Sequence, residues 1–337
     1  MSNVNTREGR TLNLRKVGFR VVVFAIFAAV PMVLTDYQSG LVVQFLILAL
    51  FAASYDLLIG YAGIVSFGHS LPFGIGLYGF AVFATSRQIP YVPTEVVSVS
   101  GAFLVGLAIT AIVSLVVGYV ALQATGVYFA MITLALAQIG YVLVFETTAI
   151  SGGNEGILLF AQEVFGISLA DPTAFYYVTL GLVAICFLTM KRLTTSPYGQ
   201  VLQSIRENET RARFLGYDTF RYKLSVFTIA GVFAGVAGIL SGLHQSIATP
   251  DALYWSTGGD ALIMTLIGGM GTLWGAGLGA AVLFGGREFL TMITEQWQIV
   301  LGTVFVVFVI FLPNGLAGMI TGDRSRSVWD ALRDFRS

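Results

Sequence analysis

Charged residues are scarce in this sequence. Only 11% of the 337 residues are charged and 56% are hydrophobic, whereas soluble proteins average about 25% charged residues. The apolar runs are roughly 17 to 24 residues long, which is enough to cross a hydrocarbon layer at about 1.5 Å per residue. Membrane-spanning barrels lack runs of this kind. The composition therefore predicts an all-α integral membrane protein.

The residues used most often in catalysis are also rare. With only three lysines in the chain and no G-x-x-x-x-G-K-[ST] stretch, the sequence lacks this phosphate-binding loop for ATP hydrolysis. His69 and His244 are the only histidines, which argues against a clustered histidine metal or haem site, and Cys186 is the only cysteine, which excludes an intrachain disulfide. We therefore expect no enzyme activity and no cofactor in this chain.

Charges in the middle of the predicted spans are missing as well. Ion-driven transporters use such residues to carry the coupling charge, but Asp56, Glu146 and Arg287 fall near predicted span ends. The energy for transport must then come from another subunit, or transport is passive. Two classes remain: a permease driven by a separate ATPase, and a channel or uncoupled carrier.

Sixteen of the 18 basic residues lie in three segments, at residues 7–20, 191–223 and 324–336. The positive-inside rule places these segments in the cytoplasm, and leaves Arg87 and Arg287 as exceptions. The pattern predicts a cytoplasmic N-terminal tail (1–16), a transmembrane domain (17–320) with a cytoplasmic loop (191–223), and a cytoplasmic C-terminal tail (321–337). The first apolar run, Val17 to Leu34, is interpreted as a retained span and not a signal peptide, because no clean cleavage site follows it.

About eight spans are expected, at residues 17–34, 40–59, 60–79, 101–123, 126–145, 173–190, 224–243 and 299–312. In the third, six glycines and Pro72 predict two half-helices joined by a turn. The apolar stretch 261–284 is expected to be re-entrant, turning at Gly268, Gly269 and Gly271, because a further span would put the basic tail outside. An extra short span is the alternative. The re-entrant arrangement places Arg287 outside or at the interface.

The glycine-dense stretches 60–79 and 268–286 occupy corresponding parts of the two halves. Interrupted hydrophobic segments placed in this way indicate a substrate path between internal repeats, although close helix packing through glycine is the alternative. The polar groups near broken backbone could also serve as interhelical hydrogen-bonding groups. The predicted path residues are Ser66, His69, Tyr128, Thr133, Gln138, Gly268 and Gly269.

A polar helix is predicted from Ser196 to Gly216, between two spans. Ser196 suits the N-cap, Pro197 the first helical position and Gly216 the left-handed end, so about five turns of helix are expected. Polar residues cover the outer faces of this helix, and one face carries an apolar stripe of Tyr198, Val201, Leu202, Ile205, Ala212 and Leu215. Such a helix fits docking in a groove of an ATPase, and a helix lying on the membrane surface is the alternative. The predicted coupling residues are Tyr198, Arg206, Glu207, Asn208, Glu209, Arg211 and Gly216.

Several stretches together resemble the permeases of branched-chain amino-acid ABC importers, in particular the LivM-type subunit. They are GYAGIVSFGH (60–69), TGVYFAMITLALAQ (125–138), SGGNEG (151–156), SPYGQVLQSIRENE (196–209), RYKL (221–224) and GGMGTLWGAGLGA (268–280). Two features depart from the family pattern: Ala124 and Thr125 stand where an arginine is usual, and Glu209 precedes Gly216 by seven residues where six is general.

The resemblance implies an importer in the bacterial inner membrane with several kinds of subunit. A periplasmic substrate-binding protein would deliver the substrate. The acidic outer loop at 146–172 could help to receive it, and a solvated surface without a partner is the alternative. This chain and a second, LivH-type permease would form the path through the lipid bilayer, and two ATP-binding subunits would hold ATP and magnesium. Nucleic acid has no part in such a system. Relatives also handle urea, short amides and aromatic acids, which leaves the substrate open.

Overall fold

The computed structural model describes residues 25–85, 98–159, 163–164, 167–312 and 315–321, and nearly all of its elements are helices. The helices are α1 (25–33), α2 (Asp36–Asp56), α3 (Ser70–Ala84), α4 (Val99–Ala121), α5 (Val127–Glu146), α6 (Thr148–Ser151), α7 (Pro172–Thr195), α8 (Pro197–Glu207), α9 (Glu209–Phe214), α10 (Thr219–Gln245), α11 (Trp255–Gly268), α12 (Leu273–Thr291), α13 (Trp297–Phe311) and α14 (Gly315–Thr321).

Five described helices are long and apolar enough to cross a membrane, and a sixth span is possible if α11 and α12 form one. They match the predicted spans at 40–59, 101–123, 126–145, 173–190 and 224–243. The expected total of about eight is not confirmed. Part of the first predicted span, together with Arg87 and both tails, lies outside the described residues. The helices α3 and α13 have 15 residues each, or about 22 Å of length.

The helices α2 and α10 form the centre of the fold. Within an apolar stretch of 18 residues in each helix, 78% of the residues are buried in α2 and 72% in α10, against 28% in α4 and 22% in α5. Small residues of α10 explain its close packing, because a side chain at Gly238 would collide with the carbonyl oxygen of Phe73, and Gly235 faces Gly76 of α3. This packing leaves α4 and α5 at the periphery, with apolar side chains pointing outward.

The predicted break after α2 is present, but its form differs from the expected pair of half-helices. The helix α2 continues as a π-helix over Leu57–Ala62 and ends at Gly63, whose φ of +70° requires the left-handed region. Residues 63–68 are then not helical, and α3 begins at Ser70. Pro72 does not break α3 because it lies in the first turn, where a backbone N–H has no helical partner.

A second break separates α11 from α12, which are bent by 113° relative to each other. The chain turns at Gly269 and Gly271, whose φ angles are +108° and +80°, as the glycine pattern predicted. The two helices then pack closely, since a side chain at Gly268 would collide with the backbone of Gly275. A bend of this size is compatible with either a re-entrant hairpin or a single broken span. Re-entry of this segment therefore stays a prediction.

The loop between α5 and α7 is attached to the rest of the chain by a short strand pair. β1 (Ile157–Leu158) pairs antiparallel with β4 (Ile247–Ala248), and β2 (Glu163–Val164) with β3 (Ile167–Ser168). In the SGGNEG turn the hydroxyl of Ser151 accepts a hydrogen bond from the N–H of Gly153 at 3.1 Å and lies 2.7 Å from the carbonyl oxygen of Thr147. The SGGNEG motif therefore forms a hydrogen-bonded turn, and the strand β1 that follows it pairs with β4 at the end of α10.

Candidate coupling site and translocation path

The predicted helix from Ser196 to Gly216 is two helices, which corrects the expectation of one. The Ser196 hydroxyl caps α8, accepting from the N–H of Gly199 at 3.4 Å. At Asn208 the backbone turns to an extended conformation, with φ of −158°, and its side-chain oxygen accepts from the N–H of Arg211 at 2.8 Å. An asparagine that caps a new helix offers the backbone an alternative to continuing the old one. Gly216, with φ of +91°, follows the end of α9 as predicted.

One face of α8 and α9 packs against the membrane domain. Leu202, Ile205 and Ala212 are buried, as the apolar stripe predicted. The hydroxyl groups of Tyr198 and Ser225 of α10 lie 2.6 Å apart. Leu215 was expected in the same stripe but is 70% exposed, because the interruption at Asn208 reorients the second helix.

The outer face of this helix pair is exposed and mixed in character. Glu207, Asn208 and Arg211 are exposed, and they are followed by exposed Phe214 and Leu215. Aromatic residues and arginine are enriched at protein contact surfaces, and Phe214 and Arg211 supply both here. We call this the α8–α9 face, and it contains three of the seven predicted coupling residues.

Glu209 fastens α9 to α10. Its carboxylate lies 2.5 Å from the Lys223 ammonium and 3.2 Å from the Arg213 guanidinium. Burial raises the pKa of this carboxyl, but hydrogen bonds and charge from Lys223, with help from Thr219 and Arg213, hold it below its ordinary value. Glu209 is therefore ionised at neutral pH and paired within the chain.

Arg206 connects α8 to the break after α2. Its guanidinium donates a hydrogen bond to the carbonyl oxygen of Gly60 in the π-helix. Gly63 lies against the Arg206 side chain, and an added Cβ would approach its Cγ to 2.9 Å. The side chain of Arg206 therefore places α8 in direct contact with the backbone at the first break.

Asp56 connects the first break to the second. Its side chain is fully buried, and its Oδ1 atom accepts a hydrogen bond from the N–H of Gly271 at 2.7 Å. Among the described residues its Oδ2 atom has no hydrogen-bond partner. Gly60 must lack a side chain because a Cβ there would collide with both Asp56 and Gly271. Contacts among four residues thus join α2, α8 and the α11–α12 turn. We call these residues the junction: Asp56, Gly60, Arg206 and Gly271.

Sequence reasoning missed this role for Asp56, which it placed only near a span end. A carboxylate inside an otherwise apolar run was the available signal, because a charge at that depth requires a partner. Its partner is a backbone N–H 215 positions away along the chain. Residue types alone could not identify it.

The predicted path residues fall into separate groups. Ser66, His69 and Thr133 are buried close together: His69 Nε2 lies 2.9 Å from the Ser54 hydroxyl, and Gly68 packs on the backbone of Thr133. By contrast, Tyr128 is 74% exposed and Gln138 is half-buried on α5. Gly268 and Gly269 belong to the second break. The seven residues do not form one pocket.

Burial alternates along the non-helical segment after α2. Val65 and Phe67 are 40% and 39% exposed, while Ile64, Ser66 and Gly68 are buried. Alternation of this kind is typical of an extended backbone with two faces. The exposed face of this segment was missed because the glycines predicted a turn and not an extended segment.

The fold and these two breaks define a multi-pass membrane permease: apolar helices surround two interruptions of the backbone, and a polar helix pair is connected to both. The chain matches the family described as branched-chain amino acid transport system / permease component over residues 37–309, and it belongs to that family. The resemblance found in the sequence motifs is thereby confirmed.

Individual relatives agree with the family. The chain is 27% identical to the high-affinity branched-chain amino acid transport system permease protein LivM of Salmonella typhimurium and 26% identical to that of Escherichia coli, in both cases over 89% of this chain and 75% of the relative. It is 23% identical to the corresponding LivH protein of Salmonella typhimurium, over 80% of this chain and 91% of the relative. No solved structure matches. All three relatives are described as permease proteins of a transport system.

Proposed function

We propose that this chain is a permease subunit of an ATP-driven importer for branched-chain amino acids. The observation that carries the proposal is the junction, because it connects a polar helix pair to both breaks in the membrane domain. A passive pore has no need of such a connection, whereas a permease driven by a soluble ATPase needs a surface that receives motion and a route that transmits it. Family membership supports the substrate class.

The proposed assembly contains three kinds of partner in addition to the lipid bilayer. Two ATP-binding subunits act on the α8–α9 face from the cytoplasm, a second, LivH-type permease completes the path, and a periplasmic binding protein delivers the substrate. The bacterial inner membrane holds the complex with both termini of this chain in the cytoplasm. Relatives of both permease types support the pairing of two different permeases.

Within the chain, residues 17–320 form the proposed transmembrane domain, with cytoplasmic tails at 1–16 and 321–337 and the coupling loop at 191–223. The proposed coupling residues have different roles. Glu207, Asn208 and Arg211 face the ATPase, Tyr198, Arg206 and Glu209 attach the helix pair to the membrane domain, and Gly216 ends α9. The proposed path passes the two breaks, near Ser66, His69, Tyr128, Thr133, Gln138, Gly268 and Gly269.

The deciding experiment is purification of this chain from its native membrane followed by reconstitution in proteoliposomes. We expect two ATP-binding subunits and a second permease to co-purify, and the binding protein to drive leucine uptake that depends on ATP. Uptake of urea, an amide or an aromatic acid in place of leucine would change the substrate only. A homo-oligomer that leaks solute without ATP would replace the proposal with a channel.

A further inference from the structure

A cavity of about 590 Å³ lies at the end of the helices remote from the junction. Its wall is built by the first half of α2, the middle of α3, the end of α10, the segment 247–252, the start of α11 and the end of α12. Gln44 lines the cavity and Asp56 belongs to the junction, so about 18 Å of α2 separates the two sites. If α8 is cytoplasmic, the cavity is on the periplasmic side.

Opposite charges line the cavity. Asp260 is contributed by α11 and Arg287 by α12, and their charges are close enough to interact. Glu288 and Asp251 add acidic groups, while Gln44 and Thr257 add neutral hydrogen-bonding groups. The pair therefore presents one carboxylate and one guanidinium within a single space.

Another part of the wall is apolar. Phe73 and Leu77 of α3 and Leu283 of α12 line it, and each is buried. An apolar surface beside a pair of opposite charges suits a small molecule with a zwitterionic head and an apolar body. A simple anion would meet three carboxylates, and a simple cation would leave the apolar part of the wall without a contact, so neither fits the lining as well.

We propose that this cavity is the entry site for the transported amino acid. The α-carboxylate pairs with Arg287, the α-ammonium pairs with Asp260, and the branched side chain lies against Phe73, Leu77 and Leu283. The inference rests on the proposed function, since it takes the substrate to be a hydrophobic α-amino acid. Binding replaces the interaction between Asp260 and Arg287 with two interactions to the ligand, so each of these two side chains and each charge of the ligand has a partner.

The location fits the delivery of substrate. Asp260 and Arg287 lie on the two helices that meet at the turn containing Gly271, and Gly271 is bonded to Asp56 in the junction. A ligand held between α11 and α12 at this end therefore acts on the same hairpin that α8 reaches at the other end. Occupancy of the cavity and movement of the α8–α9 face are in this way physically connected.

The test measures binding to the purified complex without the binding protein. Three probes are compared: L-leucine, L-leucinamide, which lacks the carboxylate, and 4-methylpentanoate, which lacks the ammonium group. Arg287→Gln should weaken leucine and 4-methylpentanoate about tenfold or more and leave leucinamide unchanged, and Asp260→Asn should weaken leucine and leucinamide but not 4-methylpentanoate. Glu155→Gln, which removes an exposed carboxylate outside the cavity, should change none of them.

A second measurement does not depend on charge variants that could disturb folding. Cys186 is the only cysteine and is buried, so Gln44→Cys introduces a single thiol at the cavity wall. Leucine should slow its reaction with a charged thiol reagent added from outside. Equal binding of all three probes by wild type and both charge variants, with no protection of the thiol, would overturn the site.

Three other outcomes have distinct meanings. A zwitterionic phospholipid that co-purifies with wild type and is lost from Arg287→Gln, without any effect of leucine, would assign the cavity to a lipid headgroup and overturn the amino-acid site. ATP-dependent leucine uptake by wild type with unchanged probe binding in the variants rejects this inference alone. Absence of leucine uptake by the wild-type complex rejects the proposed substrate class, and with it this site, whereas leakage of solute without ATP rejects the proposed function itself.

Discussion

The Oδ1 atom of Asp56 accepts a hydrogen bond from the backbone N–H of Gly271 at 2.7 Å. This contact joins the two places where the membrane-domain backbone is interrupted. Arg206 of the polar helix α8 also donates a hydrogen bond to the carbonyl oxygen of Gly60, which lies one turn beyond Asp56. Two hydrogen bonds at neighbouring positions of the chain therefore connect α8 to both interruptions. The arrangement allows one movement of α8 to shift both breaks together.

Substitutions at Asp56 test this connection. Asp56→Ala removes the acceptor and leaves the Gly271 N–H unpaired, at a cost of about 1 to 3 kcal/mol, whereas Asp56→Asn keeps an oxygen that can accept. We expect Asp56→Ala to lose most leucine uptake per ATP hydrolysed in proteoliposomes and Asp56→Asn to retain it. Equal coupling in the two variants would show that the hydrogen bond has no part in transmission.

Arg206 and Glu207 should have different effects although they are neighbours. Arg206 donates to Gly60 inside the chain, so Arg206→Glu should leave the ATPase bound but uncouple its hydrolysis from uptake. Glu207 belongs to the exposed α8–α9 face, and Glu207→Lys should weaken assembly with the ATPase, by about tenfold in affinity if it meets a cation there. Co-purification and uptake per ATP separate the two effects. The same defect in both variants would contradict this division.

Close packing between α3 and α10 makes a third prediction. Gly238→Ala would place a methyl group against the Phe73 carbonyl, and we expect a loss of about 1 to 3 kcal/mol in stability. In the matched control Gly181→Ala, an added Cβ meets no described atom within 4 Å, and removal of a helical glycine should stabilise slightly. Thermal unfolding in detergent compares the two. An unchanged melting temperature in Gly238→Ala would contradict the packing.

Much of the helical framework could be predicted because the length of an apolar run reports directly on a span. The run 101–123, for example, corresponds to the observed helix Val99–Ala121. The glycines after α2 also predicted an interruption. Glycine density alone could not distinguish a half-helix from an extended segment, because glycine permits both.

The sequence was less informative where a contact decides the structure. The end of α8 was missed because the residues around Asn208 favour a helix on either side, and the asparagine acts only through its cap on Arg211. The role of Asp56 depends on Gly271, which no local pattern connects to it. The buried and exposed members of the predicted path likewise differ through tertiary packing and not through residue type.

Thiol reactivity provides the fourth prediction, and it concerns the path. Single cysteines replacing Val65, Phe67 and Tyr128, which are exposed, should react with a small thiol reagent at least on the order of tenfold faster than cysteines replacing Ser66 and Thr133, which are buried. If the buried pair lines the path, ATP turnover should raise its reactivity, because alternating access exposes the path in part of the cycle. A pair that never reacts in any nucleotide state would instead serve only in helix packing, and the path would then run along the exposed face of residues 63–67.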